Sequence, residues 1–80
     1  MNKAEILKVM NEIFREVFDD DTLVITEETS AEDVDDWDSY EQINLLMACE
    51  RRFGMRFEME EASLITNVRD MIAIIEKKIS

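Results

Sequence analysis

Eighty residues carry nine lysines and arginines against twenty aspartates and glutamates, a formal charge of -11, with no histidine and one cysteine. A chain this short is read as one domain spanning residues 1–80; burying only about 60% of its extended surface, it can hold one core but not an enclosed active site. The charge repels phosphate backbones and anionic headgroups, which disfavours nucleic acid and stable membrane insertion and makes basic protein surfaces the natural complement.

Asn2 and Glu5 have capping-box spacing, and Ile6, Leu7, Met10, Ile13, Phe14 and Val17 form one apolar stripe at helical period, which predicts a first helix. Asp19, Asp20 and Asp21 stop it as a solvated turn, because carboxylates at the negative end of the helix dipole oppose another turn. From Asp19 to Asp38 no helical period is sustained. Leu23-Val24-Ile25 has strand character but no second strand to pair with, so the segment reads as a long loop pinned to a helical core by Leu23, Val24, Ile25, Val34 and Trp37. Connections of that length inside a small domain are more often functional than accidental.

The second helix is predicted from Ser39 to Phe53, ending at Gly54, the only glycine, where a left-handed terminus wants one. Its apolar residues are too many for one stripe. Leu45, Leu46, Cys49 and Phe53 can face the core, with Cys49 acting as a small apolar residue. Ile43 and Met47 share the side of Ser39, and spacing alone leaves them open as core or docking residues. Beyond Met55-Arg56-Phe57, the stretch from Glu58 to Ile65 predicts one or two helical turns. A last helix opens at Asn67, spaced as a cap to Asp70, and turns Val68, Met71, Ile72, Ile75 and Ile79 inward, with Lys77 and Lys78 complementing its dipole. The fold class is therefore all-α: a small four-helix bundle of three main helices and one short helix, with a long first loop.

Ser39 stands where the acidic loop Asp35-Asp36-Trp37-Asp38 enters the second helix. Ser39-Tyr40-Glu41-Gln42 is itself a capping box, but Asp38 can serve as the cap instead and leave the serine hydroxyl free. No histidine is present to act as its base, and the nearest lysines in sequence are Lys8 and Lys77, so the serine reads as an attachment point rather than a nucleophile, and the chain as no enzyme. Asp33, Asp35, Asp36 and Asp38 lack the order and glycine of a calcium-binding loop, and no zinc spacing exists, so no metal site is expected beyond weak, nonspecific divalent-ion binding.

Asp36-Trp37-Asp38-Ser39-Tyr40, followed by Ile43, Leu46, Met47, Glu50, Phe53-Gly54, Phe57, Ile65 and Val68, resembles the acyl carrier proteins over essentially the whole chain. In that family an Asp-Ser-Leu motif opens the second helix, and a phosphopantetheinyl transferase links 4'-phosphopantetheine from coenzyme A to the serine. The resemblance implies that Ser39 is that serine, that Asp38 contributes to transferase recognition, and that an acyl group carried as a thioester is delivered to partner enzymes of fatty acid, polyketide or other specialised biosynthesis. An aminoacyl or peptidyl carrier shares the motif, and an unmodified acidic helical adaptor is the competing class.

Two departures from the family pattern carry expectations. Tyr40 replaces the usual leucine at a position expected to be partly buried, and Asp36 replaces the usual glycine in a turn, where aspartate is among the better substitutes for left-handed geometry. A third concerns partners. Glu41 and Glu50 fit the acidic second helix of fatty-acid carriers, whereas Arg51 and Arg52 do not, which points to dedicated enzymes of a specialised pathway. Candidate partner-binding residues are Asp36, Trp37, Tyr40, Glu41, Ile43, Met47, Glu50 and Arg51, while Met10, Phe14, Leu46, Met71 and Ile75 are candidate walls of an acyl cavity. Starting at Met1 with no signal-peptide pattern, the chain is expected to be a stand-alone, monomeric, cytoplasmic carrier.

Overall fold

The computed structural model describes residues 1–79 and folds them into four helices: α1 (Lys3–Val17), α2 (Ser39–Phe53), α3 (Met59–Ser63) and α4 (Val68–Ile79). Helix α1 starts in the expected capping box. Asn2 Oδ1 accepts from the Glu5 N–H at 2.9 Å, and Glu5 Oε1 accepts from the Asn2 N–H at 3.1 Å. Its stripe buries Ile6, Met10, Ile13 and Phe14, and α1 packs against both α2 and α4. The fully buried Met10, Phe14, Met71 and Ile75 fill the middle of the bundle, and Leu46 packs half-buried against it. Four of the five residues expected to wall an acyl cavity are thus close-packed core.

The end of α1 contains a feature missed in the sequence. Asp19 has φ 51°, the only positive φ outside glycine among the described residues, and the next N–H, of Asp20, donates to Arg15 O at 3.0 Å. Asp19 therefore does at the end of α1 what Gly54, φ 63°, does at the end of α2. Aspartate tolerates that region better than most side chains. Nothing lies within 4 Å of a Cβ built on Gly54, so backbone angle rather than space requires glycine there.

Asp36 corrects an expectation: its φ is not positive. The Trp37 N–H donates to Val34 O at 3.1 Å, which places Asp36 third in a four-residue turn that any L-residue can occupy.

No strand forms among the described residues, and only an isolated bridge joins Ser30 to Asn67. The long loop is held by α1 side chains that look like ordinary solvent-facing residues in the sequence. Asn11 Oδ1 accepts from the Ile25 N–H at 2.8 Å, Asn11 Nδ2 donates to Ile25 O at 3.3 Å, and Arg15 Nε donates to Leu23 O at 2.7 Å. These bonds seat Ile25 in the core. Val24, expected to be an anchor, alternates outward and is 69% exposed. Farther on, the loop caps α4: Thr29 O accepts from the Val68 N–H at 2.8 Å and Glu27 O from the Arg69 N–H at 2.9 Å. Asn67 Oδ1 takes the Asp70 N–H at 3.0 Å, as its spacing predicts.

Short α3 is tied to α4 by Lys78 Nζ and Glu61 Oε1 at 2.9 Å. The Glu61 carboxyl is held below its ordinary range, first by the Glu58 N–H and then by Lys78.

Candidate functional site

Helix α2 begins with Asp38 as its cap. Asp38 is extended (φ -110°), and its Oδ1 accepts from the Glu41 N–H at 2.8 Å, an arrangement that stabilises a helix by about 1 kcal/mol. That resolves the choice between Asp38 and Ser39. Ser39 becomes the first helical residue, exposed, and its hydroxyl takes part in no hydrogen bond with the described residues. The backbone N–H groups of Ser39 and Tyr40 likewise find no acceptor among the described residues, as the first turn of a helix requires unless a cap reaches them. A free hydroxyl and two free N–H groups sit together at the positive end of the α2 dipole.

Trp37 secures this corner from below. It is 7% exposed, meets Phe14 edge-on at 5.2 Å between ring centroids, and donates from Nε1 to Gln42 Oε1 across the start of α2. Of its two expected roles, loop anchor and partner contact, its burial fits the anchor, because its ring finds the largest apolar partner of the core.

Tyr40 is the opposite case. Expected to be partly buried, it is 74% exposed, at the rim of a groove between the start of α2 and the end of α1. Ile43 and Met47 are 58% and 51% exposed, so spacing that fits either core or surface is resolved in favour of the surface. Asp36 and Arg51 are exposed, and Glu41 is half-buried, accepting from Asn44 Nδ2 at 2.7 Å. Glu50 turns inward to accept the Phe57 N–H at 2.8 Å, which makes it a brace for the connection after α2.

A groove of about 550 Å³ opens beside Ser39, between α2 and the α3 end of the molecule. Ser39, Asp38, Gln42 and Ile43 form one side; Ala62, Ile65 and Thr66 form the other. Gln42 could have been found from its three-residue spacing to Ser39, but Ala62, Ile65 and Thr66 carry no sequence signal tying them to it. Thr66 is fixed by Asp70, whose Oδ2 accepts from the Thr66 hydroxyl and N–H at 2.6 and 2.8 Å. Those bonds hold the Asp70 carboxyl below its ordinary range.

Among the described residues no group of three or more histidine, cysteine or carboxylate side chains converges to hold a metal ion. Cys49 is buried against Met10, and desolvation pushes its thiol up to about 12. Among the described residues no helix is long and apolar enough to cross a membrane.

No family model matches the chain. Individual proteins do. It is 33% identical over 81 residues to an acyl carrier protein of Thermosynechococcus vestitus, covering 100% of this chain and 99% of that protein. It is 34% identical over 79 residues to an acyl carrier protein of Exiguobacterium, covering 99% and 100%. Among solved structures, the holo acyl carrier protein of Geobacter metallireducens superposes with a TM-score of 0.84 at 42% identity, over 90% of this chain and 83% of that one. The acyl carrier protein of Thermotoga maritima superposes with the same score of 0.84 at 33% identity, over 98% and 91%.

Proposed function

We propose, for a chain that belongs to the acyl carrier protein family, that Ser39 is the attachment point of a 4'-phosphopantetheine arm and that the protein carries acyl groups between biosynthetic enzymes. The observation that carries this reading is the division of labour at the start of α2: Asp38 caps the helix and leaves the Ser39 hydroxyl exposed and unbonded.

The residues present fit such a group. Ser39 supplies the oxygen for a phosphodiester, and the free N–H groups of Ser39 and Tyr40 face the charge that a phosphodiester brings. When attached, the arm supplies a thiol on which an acyl group is held as a thioester. The chain's own part is positioning. Trp37 and Phe14 keep the first turn of α2 rigid, so the attachment point does not wander while the arm moves. Asp38 spends Oδ1 on the cap, which leaves Oδ2 for recognition by the transferase. Polar and apolar groups together line the groove beside Ser39, and the carboxylates of Asp36, Asp38 and Glu41 around the start of α2 oppose tight retention of an anionic arm. A weakly held arm is what delivery needs.

Residues 1–80 act as a single domain in this reading. The radius of gyration, 11.4 Å, supports it, against about 12 Å expected for one domain of this length. Partners are a phosphopantetheinyl transferase and enzymes that load and transfer acyl groups, in the cytoplasm. The carrier family does not perform the chemistry itself.

Intact mass decides the matter. After incubation with coenzyme A, magnesium and a promiscuous phosphopantetheinyl transferase, the native chain is expected to gain one phosphopantetheine and Ser39→Ala none. No gain on a folded native chain, with a control carrier modified in parallel, overturns the reading in favour of an unmodified adaptor.

A further inference from the structure

The groove beside Ser39 uses one flank of α2. On the other flank, toward the C-terminal end of α1, two smaller grooves both border Val17. One, of about 420 Å³, is rimmed by Asp19, Asp36, Asp38 and Glu41; the other, of about 260 Å³, by Asn44, Met47 and Arg51. At about 100° per residue, Tyr40, Met47 and Arg51 fall within about 40° of one another around the helix, and all three are exposed. The strip thus carries carboxylates at one end, an aromatic ring and a thioether in the middle, and a guanidinium at the other end.

Arg51 makes no ion pair or hydrogen bond with the described residues. Its neighbours are already engaged: Arg52 is held by Glu12 of α1, and Glu50 accepts the Phe57 N–H. In a chain of net charge -11, this end of α2 therefore presents a cation whose nearby carboxylates are spent internally. About 18 Å separate Arg51 from Ser39 along the helix, more than the ~8 Å screening length at physiological salt, so a partner reads the two ends independently.

We infer that Arg51 is a specificity determinant, selecting a partner enzyme whose docking surface changes sign along α2: basic opposite Asp36, Asp38 and Glu41, apolar opposite Tyr40 and Met47, and acidic opposite Arg51. The inference rests on the carrier reading for the identity of the partner as an acyl-handling enzyme. A partner that is basic throughout gains at the Ser39 end and is repelled at Arg51, which is discrimination by an introduced like charge.

The probe is an acyl-loading enzyme selected for a docking surface that is basic throughout, the class of partner that Arg51 is inferred to repel. Loading of the phosphopantetheine-bearing native chain, Arg51→Glu and Lys3→Glu is compared. Lys3 lies at the far end of α1, about 21 Å from Val17, so its substitution changes net charge equally without touching the strip. Arg51→Glu is expected to lower KM about 3- to 10-fold at low salt with kcat unchanged, and the gain is expected to shrink below about 2-fold at 0.5 M salt. The affinity of the same enzyme for unmodified Ser39→Ala chains with and without Arg51→Glu, measured by titration, is expected to differ by the same factor. An unchanged KM and affinity, an effect equal to that of Lys3→Glu, or one that persists at high salt overturns the role of Arg51. A chain that accepts no arm fails the carrier reading alone, and the titration still decides Arg51.

Discussion

Helices α1 and α2 have the same length, 15 residues, and use their apolar content differently. α1 buries four side chains on one stripe, packs Leu7, Val9 and Val17 half-buried against the core, and turns mostly charged or loop-clamping side chains outward. α2 fully buries only Leu45 and Cys49 and leaves Tyr40, Ile43 and Met47 in solvent. Apolar residues kept in water are held at a cost, at roughly 25 cal/mol per Å² of apolar surface that stays wet. In a domain this small, that cost marks α1 as the helix that makes the fold and α2 as the helix the fold displays.

The contrast is tested most severely by removing the centre of α1. Phe14→Ala is expected to cost about 3–5 kcal/mol, because it empties the space between Trp37 and the core and leaves both without a partner. Urea denaturation should find much of the population unfolded, since a chain of this size holds only about 4–12 kcal/mol in total. A cost below about 1 kcal/mol would mean that the centre of the bundle lies elsewhere.

Cys49 sharpens the comparison from the inner face of α2. Its thiol is pushed from 9.0 to about 12 by burial, so above pH 9 the unfolded chain releases this proton while the folded chain keeps it. The stability it contributes is complete below pH 9 and is lost as pH rises toward 12. Relative to Cys49→Ala, the native protein should lose about 1 kcal/mol between pH 8 and pH 10. Parallel stability curves for the two proteins would show that the thiol is not shielded.

The outer face of α2 should respond least. Met47→Ala and Ile43→Ala are each expected to change stability by no more than about 0.5 kcal/mol in the same denaturation experiment. A loss near 2 kcal/mol for either would place it in the core and erase the difference between the two helices.

How much of this was legible in the sequence depends on how local the cause is. The capping box at Asn2, the cap at Asn67, the glycine stop at Gly54 and the stripes of α1 and α4 were read correctly, and so was the all-α class. Each depends on residues three or four apart, whose contact is set by the helix itself. The long loop was recognised by its lack of period, but Asn11 and Arg15 were not recognised as what holds it. Polar residues on a helix look alike in sequence whether they face water or a neighbouring backbone.

The candidate site divides in the same way. Ser39 and the two possible caps were visible as a spacing, and the motif around them carried the family resemblance. Which residue takes the cap, and so whether the serine hydroxyl is free, depends on the backbone angles at Asp38, settled where the loop meets the core. The burial of Trp37 followed from its reading as a loop anchor, but the exposure of Tyr40 and the ordinary turn at Asp36 were misjudged for one reason. Both positions lie where the loop, α1 and α2 converge, and their surroundings are supplied by residues distant in the chain.

The sequence by itself determined where helices begin and end and which serine opens the second one, because hydrogen bonds within a turn and the helical period are local. Only the tertiary structure decided which face of α2 is core and which is surface. Helical period records only that α2 has two apolar faces, and the packing of α1 against one of them leaves the other, with Ser39 and Arg51 at its ends, exposed to solvent.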